Sequence, residues 1–197
     1  MPEIGVFVED QGHLAFIRAV VDRVATELGV NVRVVEYNTT GGFGSALTEL
    51  KQYVRDYRKD RVGLLDILII GIDANCSGFS GKQREILDIV GDLAEFCVLA
   101  VPDPHVEKWL LSDDSAFRAV FGITCTVPDQ KCEKGYYKKL LRDTVREAGV
   151  DPAFGGVEYS SDLVNEMLLK PGAIPDTSMD RFVKDLRARM GRLPRQT

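Results

Sequence analysis

Only four cysteines occur in these 197 residues (Cys76, Cys97, Cys125 and Cys132), and no two form a Cys-x-x-Cys pair. That spacing offers neither a zinc site nor a disulfide framework, and it fits a reducing cytoplasm. Long apolar runs are missing as well. None approaches the ~20 residues that cross a bilayer, and the N-terminus lacks a basic segment followed by an apolar one. The expectation is a cytoplasmic chain without membrane contact. Positive charge is scarce: 25 basic against 30 acidic residues leave a net charge of -5, with a pI near 5.2. Such a chain does not hold nucleic acid by general electrostatics, so any contact of that kind is local or supplied by a partner. One stretch runs the other way. Between Asp176 and Thr197 six basic residues meet three acids, which reads as a solvated helix face. Internal repeats, low-complexity tracts and the Gly-x-Ser-x-Gly and His-Glu-x-x-His motifs are absent too.

What remains is ordinary globular material, 45% hydrophobic and 28% charged, long enough for one domain with an extension. Strands are expected at residues 4–8, 32–35, 67–72 and 96–101, as short apolar or β-branched runs. Helices are expected between them. Leu14, Ile17, Val20, Val21, Val24 and Leu28 form a stripe from Gly12 to Leu28, with Gly29 as the stop. A second helix runs from the glycine turn to Tyr57, and a third from Ser80 to Ala94. Four strands alternating with three helices predict a doubly wound, mostly parallel α/β sheet. Beyond it the pattern is helical: Val106–Leu111, Asp113–Phe121, Lys134–Ala148, Ser160–Leu168 and Met179–Met190. The expected division is a core over 1–121 and a helical extension over 122–197, packed on that core.

Three of the strand patterns run into an acid. Residues 4–8 end at Glu9, residues 67–72 end at Asp73, and residues 96–101 lead through Pro102-Asp103-Pro104-His105 to Glu107. Parallel sheets place ligand chemistry at the carboxyl ends of their strands. Acids gathered there repel one another, and a divalent cation offsets that cost. Asn75, two residues after Asp73, adds an oxygen without a charge, or else forms an Asx turn. His13 falls four residues after Glu9 on the same helix face; it either reaches the same metal or bonds to backbone at the helix start. Trp109 and Leu110 read as packing residues, and Asp113 as a helix cap. Cys97 lies within a strand and reads as a small buried residue.

Two further clusters carry weaker chemistry. Gly41-Gly42-Phe43-Gly44-Ser45 opens a helix, where amides can meet a phosphate, but it matches neither the P-loop nor the dinucleotide pattern. A plain flexible turn is its default reading, and a flavodoxin-like small-molecule binder rests on it alone. In Tyr136-Tyr137-Lys138-Lys139 a lysine can steady developing phosphate charge; an exposed helix face explains it equally well.

Taken together, Glu9 after the first strand, Asp73-Ala74-Asn75 after the third and Glu107-Lys108-Trp109-Leu110-Leu111-Ser112-Asp113 resemble the Toprim fold over residues 1 to about 120. The likeness is to small Toprim-like proteins related to the nuclease domain of overcoming-lysogenization-defect (OLD) proteins. It implies binding of Mg2+ or Mn2+ and cleavage of DNA or RNA backbones, and several relatives act in antiphage defence beside an ABC-type ATPase. By the resemblance, Glu9, Asp73, Glu107 and Lys138 are the catalytic residues, and Glu9, Asp73, Asn75 and Glu107 the metal ligands. Asn75 stands where a second aspartate is usual and His13 where relatives often have an acid, which implies altered metal preference or lost catalysis. The leading expectation is a metal-dependent nuclease or nuclease subunit. The alternative is a catalytically silent Toprim-like scaffold or regulatory subunit of an ATPase complex; either is compatible with a homo-oligomer.

Overall fold

Along β1 (Glu3–Val8) every residue from Gly5 to Val8 is buried, because helices cover both faces of the sheet. The computed structural model describes residues 1–38, 43–130 and 133–195. β1 pairs in parallel with β2 (Arg33–Asn38) on one side and β3 (Ile67–Gly71) on the other. β3 in turn pairs in parallel with β4 (Cys97–Ala100), giving the order β2-β1-β3-β4. The chain is therefore α/β with a four-stranded, all-parallel sheet flanked by helices.

Alternation along the strands divides the core in two. Ile4, Val6, Val8, Ile67, Ile69, Val98 and Ala100 face α1 (Gln11–Leu28). Phe7, Leu68, Ile70 and Cys97 face the opposite layer, formed by α2 (Phe43–Tyr57) and α3 (Gly78–Val90). Burial pushes the Cys97 thiol up to about 12, which makes it an inert core residue. The α1 layer continues into the later helices: α4 (Val106–Leu111), α5 (Asp114–Phe121), α6 (Tyr136–Glu147), α7 (Ser160–Glu166) and α8 (Thr177–Met190). Tyr137, Leu141, Leu163, Phe182 and Leu186 from beyond residue 121 belong to the same apolar cluster as Phe16 and Val20 of α1.

Trp109 joins three of these helices. Its ring stacks on Phe182 of α8 at 5.6 Å and meets Phe16 of α1 at 5.4 Å. Its Nε1–H donates to Ser178 Oγ at 2.8 Å, so the one polar atom it buries is satisfied. Arg23 of α1 donates to the carbonyls of Val164 and Met167, groups that a helix end leaves without a partner.

Some boundaries differ from those expected. β2 runs from Arg33 to Asn38 because its register against Glu3–Val8 extends the pairing past the β-branched run. The third helix stops at Val90, where Gly91 takes φ 55°, and a 3-10 turn covers Gly91–Phe96. Leu93 is buried from that turn, so the apolar spacing continues although the helix does not. The glycines at 41 and 42 and Cys132 lie outside the described residues, and with them the phosphate reading of that turn.

Asp113 caps α5, accepting from the Ser115 and Ala116 amides at 3.1 Å, while its second oxygen takes the Leu168 amide at 3.0 Å. Burial works to raise its pKa, but the Ser115 hydroxyl, which donates to the same oxygen, and these amides outweigh it and hold the carboxyl below the usual value. A depressed carboxyl stabilises above its unfolded pKa of about 3.9 and loses that contribution as pH falls. Asp113→Ala should therefore cost about 1–2 kcal/mol at neutral pH in urea denaturation. The gap to the unmodified protein should narrow as pH drops below about 4.

Candidate metal centre

β1 and β3 lie side by side and end at the same edge, with Val8 opposite Gly71. Pairing continues beyond them. The Glu9 amide donates to Gly71 O at 3.1 Å, Ile72 N to Ala100 O at 3.2 Å, Ala74 N to Pro102 O at 2.8 Å and Asn75 N to Pro104 O at 3.1 Å. These bonds bring the segments after β1, β3 and β4 together, and α1 closes over them. At Gly71 a Cβ would lie 2.5 Å from Ile17 Cδ1 and 3.0 Å from Val8 Cγ1. Glycine there leaves room for Ile17 of α1 against β3, in the same turns that set His13 against Asp73.

One donor atom each from Glu9, His13 and Asp73 lies within 4.8 Å of the others. Donors held by a single ion at about 2.0–2.2 Å stand roughly 3–4.4 Å apart, so small side-chain adjustments suffice to share one. His13 is 1% exposed. Its Nδ1 lies 3.0 Å from Asp10 Oδ1, and Asp10 also caps α1 by accepting the His13 amide at 3.0 Å. Burial works to raise the Asp10 pKa, but its bonds with His13 outweigh it and hold the carboxyl well below the usual range. An ionised carboxylate only accepts, so the proton of that bond sits on Nδ1. Nε2 is then the atom turned toward the acids. It pairs with Asp73 Oδ1 at 3.0 Å, and a cation bound there would take the place of the proton on that nitrogen. A carboxylate bonded to one imidazole nitrogen while the other faces acids is the arrangement that orients a metal-binding histidine.

Asp73 is held from several sides. Oδ1 accepts the Val106 amide at 3.0 Å, and Oδ2 lies 2.7 Å from His105 Nδ1. Burial would raise its pKa, but the charges of His13 and His105 outweigh that and lower it. His105 is raised by its bond to Asp73. His13 loses from burial but gains more from Asp73 and Asp10, which push it up to about 10. Glu9 is raised by burial and then by the neighbouring Asp73 charge, while its Oε2 accepts the Asp73 amide at 3.3 Å.

The remaining sequence-derived residues fall at different distances from this cluster. Glu107, in the first turn of α4, is 7% exposed and raised by burial and by Asp73. It lies outside the three-donor group and lines an adjoining cleft of about 350 Å³ together with Asp10 and Lys138 of α6. The Asn75 side chain is exposed, and its amide donates to Asp73 O at 3.3 Å, back toward the main chain. Asp10 and His105 were not among the expected site residues, and the sequence leaves His13 open between the metal and the backbone. Asp10 directly precedes a helix start, a signal explained by capping alone. His105 sits in the Pro102–His105 run, whose return over β3 depends on backbone bonds between distant strands.

No family model matches this chain, and no curated protein or solved structure matches it significantly. Among the described residues, no helix is long and apolar enough to cross a membrane.

The approach at Gly71 is open to direct test. Gly71→Ala should destabilise by about 1–3 kcal/mol through overpacking and weaken any stabilisation by Mn2+ in thermal melts. Adding Ile17→Val, which removes the clashing Cδ1, should restore part of both.

Proposed function

We propose that this chain is a metal-dependent nuclease, or the nuclease subunit of a larger assembly, of the Toprim type. The observation that carries the reading is the convergence of Glu9, His13 and Asp73 at the carboxyl edge of a parallel sheet, with His13 Nε2 buried 3.0 Å from Asp73 Oδ1. Their donor set, two carboxylates and one imidazole, fits a divalent cation. Such an ion, when bound, supplies an activated water and stabilises the leaving oxygen of a phosphodiester. The residues of the chain do the rest. Asp10 orients the His13 ring through Nδ1, His105 and the Val106 amide hold Asp73 in one orientation, and Lys138 places a positive charge at the cleft where a phosphate would enter.

An imidazole ligand shifts preference from Mg2+, which favours oxygen donors, toward Mn2+. That is the consequence we draw from histidine at a position where Toprim relatives often carry an acid. The resemblance also supports action in antiphage defence beside an ABC-type ATPase, with DNA or RNA as substrate.

A second reading has its own observation. Both Asp73 oxygens already have partners inside the protein, and the Asn75 amide is turned back on the main chain. If His13 and His105 neutralise the acids by themselves, the chain is a silent Toprim-like module serving as a scaffold or regulatory subunit. Calorimetric titration separates the two readings: Mn2+ binding at or below millimolar concentration supports the centre, and its absence supports the silent module.

Two substitutions test the proposed chemistry. Asp10→Asn keeps a good helix cap but removes the charge behind His13, and should weaken Mn2+ binding by about 10–100-fold. The double variant Glu9→Gln/Asp73→Asn should lose all Mn2+-dependent cleavage of single- and double-stranded DNA and RNA while keeping the circular dichroism spectrum of the parent. Undiminished cutting by that variant would overturn the nuclease reading.

A further inference from the structure

We propose that the cleft beside the acid–histidine cluster receives one unpaired nucleotide, its base stacked on Phe154 and its phosphate facing Lys138. The substrate class rests on the nuclease reading above; the site itself rests on three separate observations.

The first is Phe154. Its side chain is 75% exposed, and it is the only exposed aromatic ring among the residues whose side chains are described. Leaving a phenyl ring in water has a hydration cost that core packing would remove.

The second is that the backbone carrying this ring is held still. The Glu158 carboxylate accepts the Phe154 amide at 3.0 Å and the Gly156 amide at 2.9 Å, and the Tyr159 hydroxyl donates to Asp151 O at 3.0 Å. Gly156, at φ 97°, lies so close to α6 that a Cβ would stand 2.9 Å from Leu141 Cγ. On the other side, a Cβ on Gly12 of α1 would stand 3.3 Å from Val157 Cγ1. The turn is thus clamped between the helix that carries Lys138 and the helix that carries His13. A ring carried on a fixed backbone has only its own side-chain torsions to lose when a base stacks on it.

The third is the company the ring keeps. Phe154 lines the same cleft as Lys138, Asp10 and Glu107, and the cleft's volume of about 350 Å³ lies within the small-ligand range. Asp10 bonds to His13, so the cleft opens directly beside the three donors. A purely apolar ligand would cover the charges of Lys138 and Glu107 without offering them a partner. A nucleotide instead offers a flat base to Phe154 and a phosphate to Lys138. Bases within a duplex are already stacked and paired, so the occupant is unpaired. With a net charge of -5 general electrostatics add little, so stacking carries a large share of affinity and the salt dependence is shallow.

The test measures binding, separately from cleavage. Fluorescently labelled single strands of about 12 nucleotides, and the matching duplexes, are titrated with the full chain in Ca2+ buffer by anisotropy. Single strands should bind more tightly than duplex. Phe154→Ala should lose on the order of tenfold in single-strand affinity, Phe154→Trp should retain it, and both should melt like the parent. Phe154→Ala binding as tightly as the parent, or binding of duplex and single strand alike, overturns the site. Mn2+-dependent cleavage is assayed in parallel. Cutting by the parent with binding indifferent to Phe154 removes this site and leaves the nuclease reading. Phe154-dependent binding without cutting retains the site and removes that reading.

Discussion

Asp73 brings a carboxylate to the buried end of β3, and the segments around it are arranged to make that charge tolerable. Taking an ion out of water costs several kcal/mol unless it is paired and hydrogen-bonded. His13 from α1, His105 from the loop after β4 and the first amide of α4 all meet its two oxygens. One side chain thereby fixes three segments relative to one another. The remaining features of this edge follow: the glycine that lets α1 approach, the backbone bonds that draw the loop after β4 over the end of β3, and Asp10 behind His13. The same network sets the balance between the two functional readings, since histidines that steady a carboxylate also compete with any cation for it.

Much of the sheet was legible because strands buried on both faces read as unbroken apolar runs. Ile67–Ile72 and Phe96–Val101 needed no other signal. β2 was found but cut short, because Glu36 to Asn38 join the sheet through register with β1 and not through their own propensity. α3 was drawn too long because Leu93 keeps the helical spacing after Gly91 has ended the helix. Periodicity reports which residues face the core; it does not report by which backbone they reach it.

The site divides along the same line. Glu9 and Asp73 could be named from their place after strands, while the four-residue offset of His13 leaves it open between a metal and the backbone. Glu107 could be named but not placed, since one helical turn decides whether it joins the donors or the cleft beside them. Asp10 was hidden by a local role that already explained it. Phe154 gave no signal at all, because a lone phenylalanine between Ala153 and Gly155 in a sequence says nothing of exposure. It becomes informative only when the turn is seen clamped between α1 and α6.

The wide separation of the donors along the chain has a kinetic consequence. Glu9 and Asp73 lie 64 positions apart, and His105 follows 32 later. A ribosome delivers the first carboxylate seconds before the second, at about 5–20 residues per second. Until β3 docks against β1, the early acids can hold neither proton nor cation in the native manner. Assembly of this edge is therefore a late, long-range event in folding, and nascent chains halted before Asp73 lack the means to complete it.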